Sequence, residues 1–349
     1  MIYLHVPFCR SFCTYCDFYS EIACKGKDEA AIARWADDVC REIEARRQEI
    51  EETLDLNTLY IGGGTPSVLP LSVLQRILST LAGVPFAEFT IEVNPEDIVE
   101  RGAEYVRGLL DLGVNRISMG VQSLDDGILK WMNRRHSADG ARTAFSIISG
   151  QGSPQQTHAT LGTVRGGTMS KRAIDISVDL ITGVPGMTME ILERTVEEVI
   201  GWRPEHISAY QLSIEEGSVL ARMIERGEVK ELDEEACRAQ YDYLCRRLAE
   251  AGYHHYEISN WALPGHEAVH NSAYWTRHPY VGLGPGAHSL IGNRRSWNSQ
   301  ELSGWTAEGE DLTPEQIHEE EVMLLARTDK GPIPERDWFI ADDIIPDLL

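Results

Sequence analysis

Apolar and polar residues alternate along several short stretches of the first 212 residues, and each such stretch predicts a β-strand. The strands fall near Ile2–Val6, Thr58–Ile61, Phe89–Val93, Arg116–Val121, Ile174–Ile181 and His206–Leu212. In the first, Ile2, Leu4 and Val6 alternate with Tyr3 and His5. In the third, Phe89, Ile91 and Val93 alternate with Thr90, Glu92 and Asn94. The fourth sets Ile117, Met119 and Val121 against Ser118, Gly120 and Gln122, and the fifth sets Ile176, Val178 and Leu180 against Asp175, Ser177 and Asp179. Successive side chains on a strand point to opposite faces, so each strand has one apolar and one polar side.

Between the strands the apolar period changes to three and four, as in Leu71, Leu74, Ile77, Leu78 and Leu81, or Leu192, Val196 and Val199. Strand and helix in alternation predict a parallel α/β fold. An antiparallel sheet with one wet face would also alternate, but it needs no helical connections. A closed eight-stranded barrel fills its interior with branched apolar side chains. About six strands with polar inner faces instead predict a partial (β/α)6 barrel open around a polar ligand. That unit is expected over residues 1–215. A smaller, mostly helical region is expected over 216–349, with helices near Glu234–Ala251 and from Glu319. The Gly-, Ser- and Thr-rich residues 151–172 predict a surface loop on the barrel face opposite the active site.

Charge and cysteine usage narrow the chemistry. The net charge of −23 opposes phosphate backbones, so nucleic acid is not an expected partner. No apolar run reaches the ~20 residues of a membrane span. The start of the chain shows no signal-peptide pattern, and a cytoplasmic location is expected. Seven cysteines, an odd number, argue for metal or redox chemistry over a disulfide framework. Cys24, Cys40, Cys237 and Cys245 show no ligand spacing and are expected to be free thiols.

The remaining three lie in His5-Val-Pro-Phe-Cys9-Arg-Ser-Phe-Cys13-Thr-Tyr-Cys16-Asp-Phe, directly after the first strand, where barrel active sites assemble. Thiolates at these spacings fit a compact loop around one iron–sulfur cluster. Such clusters usually take four cysteines, so three would leave one iron open. A zinc site completed by His5 is the alternative, although zinc knuckles usually pair two C-x-x-C elements.

The C-x-x-x-C-x-x-C spacing, with an aromatic before its last cysteine, resembles the radical S-adenosylmethionine (SAM) superfamily. The strings CTYCDF, IGGGTPS, EVNPE, MGVQS, NRRH, VDLITGVPG and HNSAYW narrow the resemblance. Together they resemble the family of oxygen-independent coproporphyrinogen III oxidases and their heme-chaperone relatives, over about residues 1–330. The resemblance implies a [4Fe-4S] cluster on Cys9, Cys13 and Cys16, whose open iron chelates SAM and supplies the electron that cleaves its sulfonium. It places Gly63, Gly64 and Thr65 near the methionyl amino group. Glu92, Gln122 and Asp179 become SAM contacts, with Asp179 on the ribose. Arg134 is suited to the SAM carboxylate, and Tyr3, Tyr15 and Ala209 also match pocket positions. Taken singly, Glu92 or Asp179 is an ordinary strand-end acid; both lie on the polar faces.

The oxidases carry a further cysteine two residues past the third, where this chain has Phe18. His270-Asn-Ser-Ala-Tyr274-Trp275 matches the HNxxYW string of the chaperone branch, which implies heme binding and delivery to an acceptor protein. His270 offers an axial ligand, Tyr274 lies one helical turn away and Trp275 adds flat apolar surface. A core histidine among aromatic neighbours would look the same. Two readings therefore stand beside the chaperone: a porphyrinogen-decarboxylating oxidase, and a metal-stabilised binding protein without radical chemistry. The chain also stops sooner than a complete C-terminal helical domain of this family would.

Overall fold

The computed structural model describes residues 1–23, 28–81, 83–84, 86–150, 174–215 and 218–349. The chain begins with β1 (Ile2–Val6), and a short parallel pair, β2 (Phe8–Cys9) and β3 (Glu21–Ile22), brackets the cysteine loop. Helices α1 (Glu29–Ala45) and α2 (Arg47–Glu52) lead to β4 (Thr58–Gly63). Then come α3 (Leu71–Thr80), β5 (Glu88–Val93), α4 (Pro95–Asp111) and β6 (Arg116–Gln122). Helices α5 (Asp126–Trp131) and α6 (Ala138–Ile148) precede β7 (Asp175–Thr182), α7 (Met189–Trp202) and β8 (His206–Gln211).

Strands β1, β4, β5, β6, β7 and β8 are parallel neighbours in that order, the partial barrel expected from the alternating pattern. Their apolar faces meet the helices. Ile117, Met119 and Val121 of β6, and Ile176 and Val178 of β7, are fully buried in one core with Leu192, Val196 and Val199 of α7. Helix α7 starts where Thr188 caps the Ile191 N–H, which satisfies a donor the helix itself leaves open.

After residue 218 come α8 (Val219–Glu225), α9 (Glu234–Glu250), β9 (His254–Glu257), β10 (Asn260–Ala262), α10 (Val269–Tyr274) and β11 (Val281–Leu283). An antiparallel sheet follows: β12 (His288–Ile291), β13 (Arg294–Asn298) and β14 (Ala307–Asp311). The chain ends in α11 (Pro314–Leu325), a 3-10 turn at Glu335–Ile340 and α12 (Ala341–Ile344), with a last 3-10 turn at Ile345–Leu348. Helix α9 lies where the periodicity put it. Helix α11 begins five residues before the expected Glu319, because Thr313 and Gln316 form a reciprocal capping box ahead of it.

Three strands of this region join the barrel sheet. β11 pairs in parallel with β1, and β10 runs antiparallel between β8 and β9. The nine-stranded order is β11-β1-β4-β5-β6-β7-β8-β10-β9. Helix α10 lies at the N-terminal ends of β4 and β5, where Glu88 accepts hydrogen bonds from the Val269 and His270 N–H groups at 2.8 and 2.9 Å. The expected 151–172 loop and Cys24 lie outside the described residues.

Candidate functional site

The cysteine loop leaves β1 at the C-terminal ends of the parallel strands, and its neighbours fix its course. Arg10 Nε lies 3.2 Å from buried Asp97 and its Nη1 lies 2.6 Å from Glu100, both at the start of α4. The Asn133 amide donates to the Phe12 carbonyl at 2.7 Å, and the Thr14 N–H donates to the Met132 carbonyl at 3.2 Å. Cys9, Cys13 and Cys16 therefore line the mouth of one cavity of about 550 Å3 that runs down the barrel interior. Phe18 stands on the same rim, 65% exposed.

The donors fit a cluster better than a single ion. Among the described residues, the group of three His, Cys or acidic donors whose ligand atoms all lie within 4.8 Å of one another is a different one, on Cys245, His255 and Glu335. The three loop sulfurs do not form such a group, and three thiolates at one cavity mouth are the donor set of a four-iron cluster with one open iron. The His5 imidazole does not complete a zinc site. Its Nε2 contacts the Tyr19 carbonyl at 2.9 Å and its Nδ1 the Tyr3 hydroxyl at 3.1 Å. Burial pushes the Cys9 thiol up and the Cys16 thiol up to about 11. Metal binding there must release these protons.

Below the cysteines the polar strand faces form the cavity wall. Gly63, Gly64, Thr65, Glu92, Gln122, Arg134 and Asp179 all line it, together with Tyr15. Gly63 has φ +105°, and a Cβ there would lie 2.5 Å from the His5 ring, so no other residue fits this turn. The Gly64 and Thr65 N–H groups donate to the Val6 and Phe8 carbonyls, and the Gly63 N–H donates to Glu92. An amino group approaching the turn must therefore use its carbonyl side.

Glu92 accepts the Tyr60 hydroxyl at 2.8 Å and the Gly63 N–H at 3.1 Å; burial pushes its carboxyl up to about 7. Asp179 accepts the Ser118 hydroxyl at 2.8 and 2.9 Å and the Ser177 hydroxyl at 3.3 Å. Its pKa is raised by burial, against these hydroxyls. The Arg134 guanidinium donates to Asn94 at 2.7 Å and to the Gly120 carbonyl at 2.9 Å, and Nη1 reaches Cys13 Sγ at 3.5 Å. Arg134 thus touches a cysteine of the loop as well as the cavity. Its Nε, together with Thr90 Oγ1 and Arg116 Nη2 on the same wall, has no protein hydrogen-bond partner among the described residues. Buried donors left open on a cavity wall fit a polar, charged ligand such as SAM.

Three groups of expected residues stand elsewhere. Tyr3 sits behind the wall, its ring 6.2 Å from that of Tyr60. Ala209 has its side chain in the helix-facing core, because Ser208 and Tyr210 take the inward positions of β8. His270, Tyr274 and Trp275 lie at the barrel floor, the end opposite the cysteines. His270 is 1% exposed, with Nδ1 2.8 Å from Thr58 Oγ1 and Nε2 3.0 Å from the Tyr274 hydroxyl. This is a correction to the expected open axial donor: in this arrangement both ring nitrogens are engaged. Of the same helix, Asn271 lines the cavity. Tyr60, Ser118, Ser177, Ser208 and Asn94 support the wall, and their signal was their place on polar strand faces. Glu88 and Thr58 gave none.

The family model for the radical SAM superfamily matches residues 3–199. The heme chaperone HemW of Mycobacterium tuberculosis is 33% identical over 346 residues, covering 95% of this chain and 82% of that protein. The chain belongs to the HemW family of radical SAM proteins. HemW of Bacillus subtilis is 30% identical over 373 residues, covering 99% of this chain and 89% of its own length. Among solved structures, coproporphyrinogen III oxidase (HemN) from Escherichia coli matches with a TM-score of 0.73 at 21% identity. It covers 99% of this chain and 81% of that one, and the likeness establishes the fold.

Proposed function

We propose that this protein is a heme chaperone that binds heme and passes it to an acceptor protein, with a [4Fe-4S] cluster and SAM at the barrel mouth. The observation that carries this reading is the cysteine loop on one cavity with Phe18 on its rim, and no fourth thiol there among the described residues, in a chain of the HemW family. The cluster would be held by Cys9, Cys13 and Cys16, leaving one iron for the amino and carboxylate groups of SAM. Bound there, it supplies the electron for sulfonium cleavage. The chain's own residues would orient SAM: the Gly63–Gly64 carbonyl side and Glu92 at the amino group, Arg134 at the carboxylate and Asp179 at the ribose. Tyr15 and Gln122 would line the remainder.

Heme would engage the His270, Tyr274 and Trp275 segment, where iron ligation requires Nε2 of His270 to leave the Tyr274 hydroxyl. Among the described residues no helix is long and apolar enough to cross a membrane. The cytoplasm is the proposed compartment, in keeping with free cysteines. The runner-up is oxidative decarboxylation of coproporphyrinogen III, a reading favoured by the fold shared with the oxidase.

The test is anaerobic reconstitution followed by heme titration and a porphyrinogen assay on one sample. Stoichiometric heme with no decarboxylated product supports the chaperone. Product at an oxidase-like rate overturns it in favour of the runner-up.

A further inference from the structure

Outside the barrel cavity, α9, β9 and the C-terminal 3-10 turn bring Cys245, His255 and Glu335 together. Their donor atoms all lie within 4.8 Å of one another. Cys245 Sγ is 3.9 Å from His255 Nδ1, and Glu335 Oε1 is 2.8 Å from the same nitrogen. A zinc tetrahedron with bonds of about 2.0–2.3 Å has edges of roughly 3.3–3.6 Å, so small side-chain shifts suffice to seat an ion.

The imidazole is held firmly. It stacks on Trp261 at 4.0 Å and 12°, and meets Trp338 edge-on at 4.5 Å. Its side chain is 3% exposed, whereas that of Glu335 is 55% exposed and opens a path from solvent.

The hydrogen bonding of His255 leaves a conflict that a cation resolves. Nε2 faces the Ile258 carbonyl at 3.4 Å, which also accepts the Tyr241 hydroxyl. Nδ1 faces the Glu335 carboxylate. A neutral imidazole has one N–H and one lone pair, yet acceptors stand on both sides. With the proton on Nε2, Nδ1 and the carboxylate present lone pairs to each other unless a cation lies between them. A ligating histidine whose other nitrogen donates to a backbone carbonyl is the usual arrangement at metal sites.

We propose that Cys245, His255 and Glu335 form a zinc site, completed by water, that fastens the C-terminal turn to the edge strand β9. Thiolate and carboxylate neutralise the ion, so its charge is compensated where the site is buried. The competing state is an imidazolium paired with Glu335 beside a neutral thiol, which also satisfies both nitrogens and holds no metal.

The experiment uses the full chain with its iron–sulfur cluster loaded, so that Cys9, Cys13 and Cys16 are occupied. After equilibration at micromolar free zinc, metal analysis should find about one zinc per chain beside the iron. X-ray absorption at the zinc edge should show one sulfur among nitrogen and oxygen neighbours. Cys245→Ser and Glu335→Gln keep side-chain shape and should each hold at least tenfold less zinc, with iron content unchanged. Zinc should also raise the unfolding midpoint of the wild type and not of these variants. Wild-type protein without stoichiometric zinc overturns the proposal and leaves the ion pair. Full zinc in both variants, or two or more sulfurs around the zinc, places the metal elsewhere and overturns it equally.

Discussion

Nε2 of His270 lies 3.0 Å from the hydroxyl of Tyr274, one turn on in the same helix, while Nδ1 faces Thr58 Oγ1. Burial pushes the imidazole down to about 3, so the ring is neutral at working pH. An Nδ1–H bonded to Thr58 would aim the Nε2 lone pair at Tyr274, the position a heme iron would need to take. Tyr274→Phe removes that competitor and should tighten heme by about fivefold, the value of roughly 1 kcal/mol. His270→Ala should lose the axial-ligand band while iron–sulfur absorption stays. Heme titrations read both. A wild-type heme spectrum in His270→Ala would assign the iron to another donor.

The carboxyl of Glu92, raised to about 7 by burial, makes SAM binding depend on pH. It carries its charge above pH 7 and loses it below, so its acceptor strength toward an amino group falls as the pH falls. For one group titrating there, the ionised fraction drops about eightfold between pH 7.5 and 6. Anaerobic SAM titrations should follow that loss in the wild type. Glu92→Gln should bind more weakly with a flat profile over the same range. Matching slopes in the two proteins would remove Glu92 from the contact.

Arg134 and Asp179 should separate cluster from ligand. The guanidinium touches Cys13 Sγ, so Arg134→Ala should lower both iron retention and SAM affinity. Asp179 is held by serines far down the wall, so Asp179→Asn should weaken SAM alone. Each lost charge-assisted contact is worth roughly 1.5–3 kcal/mol, or about one to two decades in affinity. Iron analysis beside SAM titration distinguishes them. Equal iron loss in both variants would mean a general loss of fold.

Glu88 caps α10 from a position 181 residues earlier in the chain. Glu88→Ala leaves two helix N–H groups without their acceptor and should cost about 1–2 kcal/mol. The unfolding midpoint should drop by roughly 2–4 °C per kcal/mol. Glu88→Gln keeps one acceptor oxygen and should lose less. An unchanged midpoint in Glu88→Ala would show that the floor helix is held by its packing.

Much of the barrel was legible because its information is local. Period-two alternation marked the inner faces, and those faces carry Glu92, Ser118, Ser177 and Asp179 in the cavity. The cysteine spacing marked the loop in the same way. β10 and β11, with three residues each, are too short to show a period, so the nine-stranded sheet was invisible. The state of His270 depends on Thr58, 212 residues away, which no window along the chain connects to it. The side chain of Ala209 faces the core for a smaller reason, since a one-residue step along β8 turns a side chain from the cavity to the core.

The parallel pairing of β11 with β1 sets Ile2 beside Val281, so β1 gains one of its two neighbours from a segment far along the chain. At about 5–20 residues per second, ribosomal synthesis separates the two strands by roughly a quarter of a minute to a minute. Throughout that delay one edge of β1 remains unpaired, and the cysteine loop hangs from a strand supported on one side only. A nascent chain stalled before Val281 should therefore be a poorer acceptor of iron than one in which β11 has paired with β1.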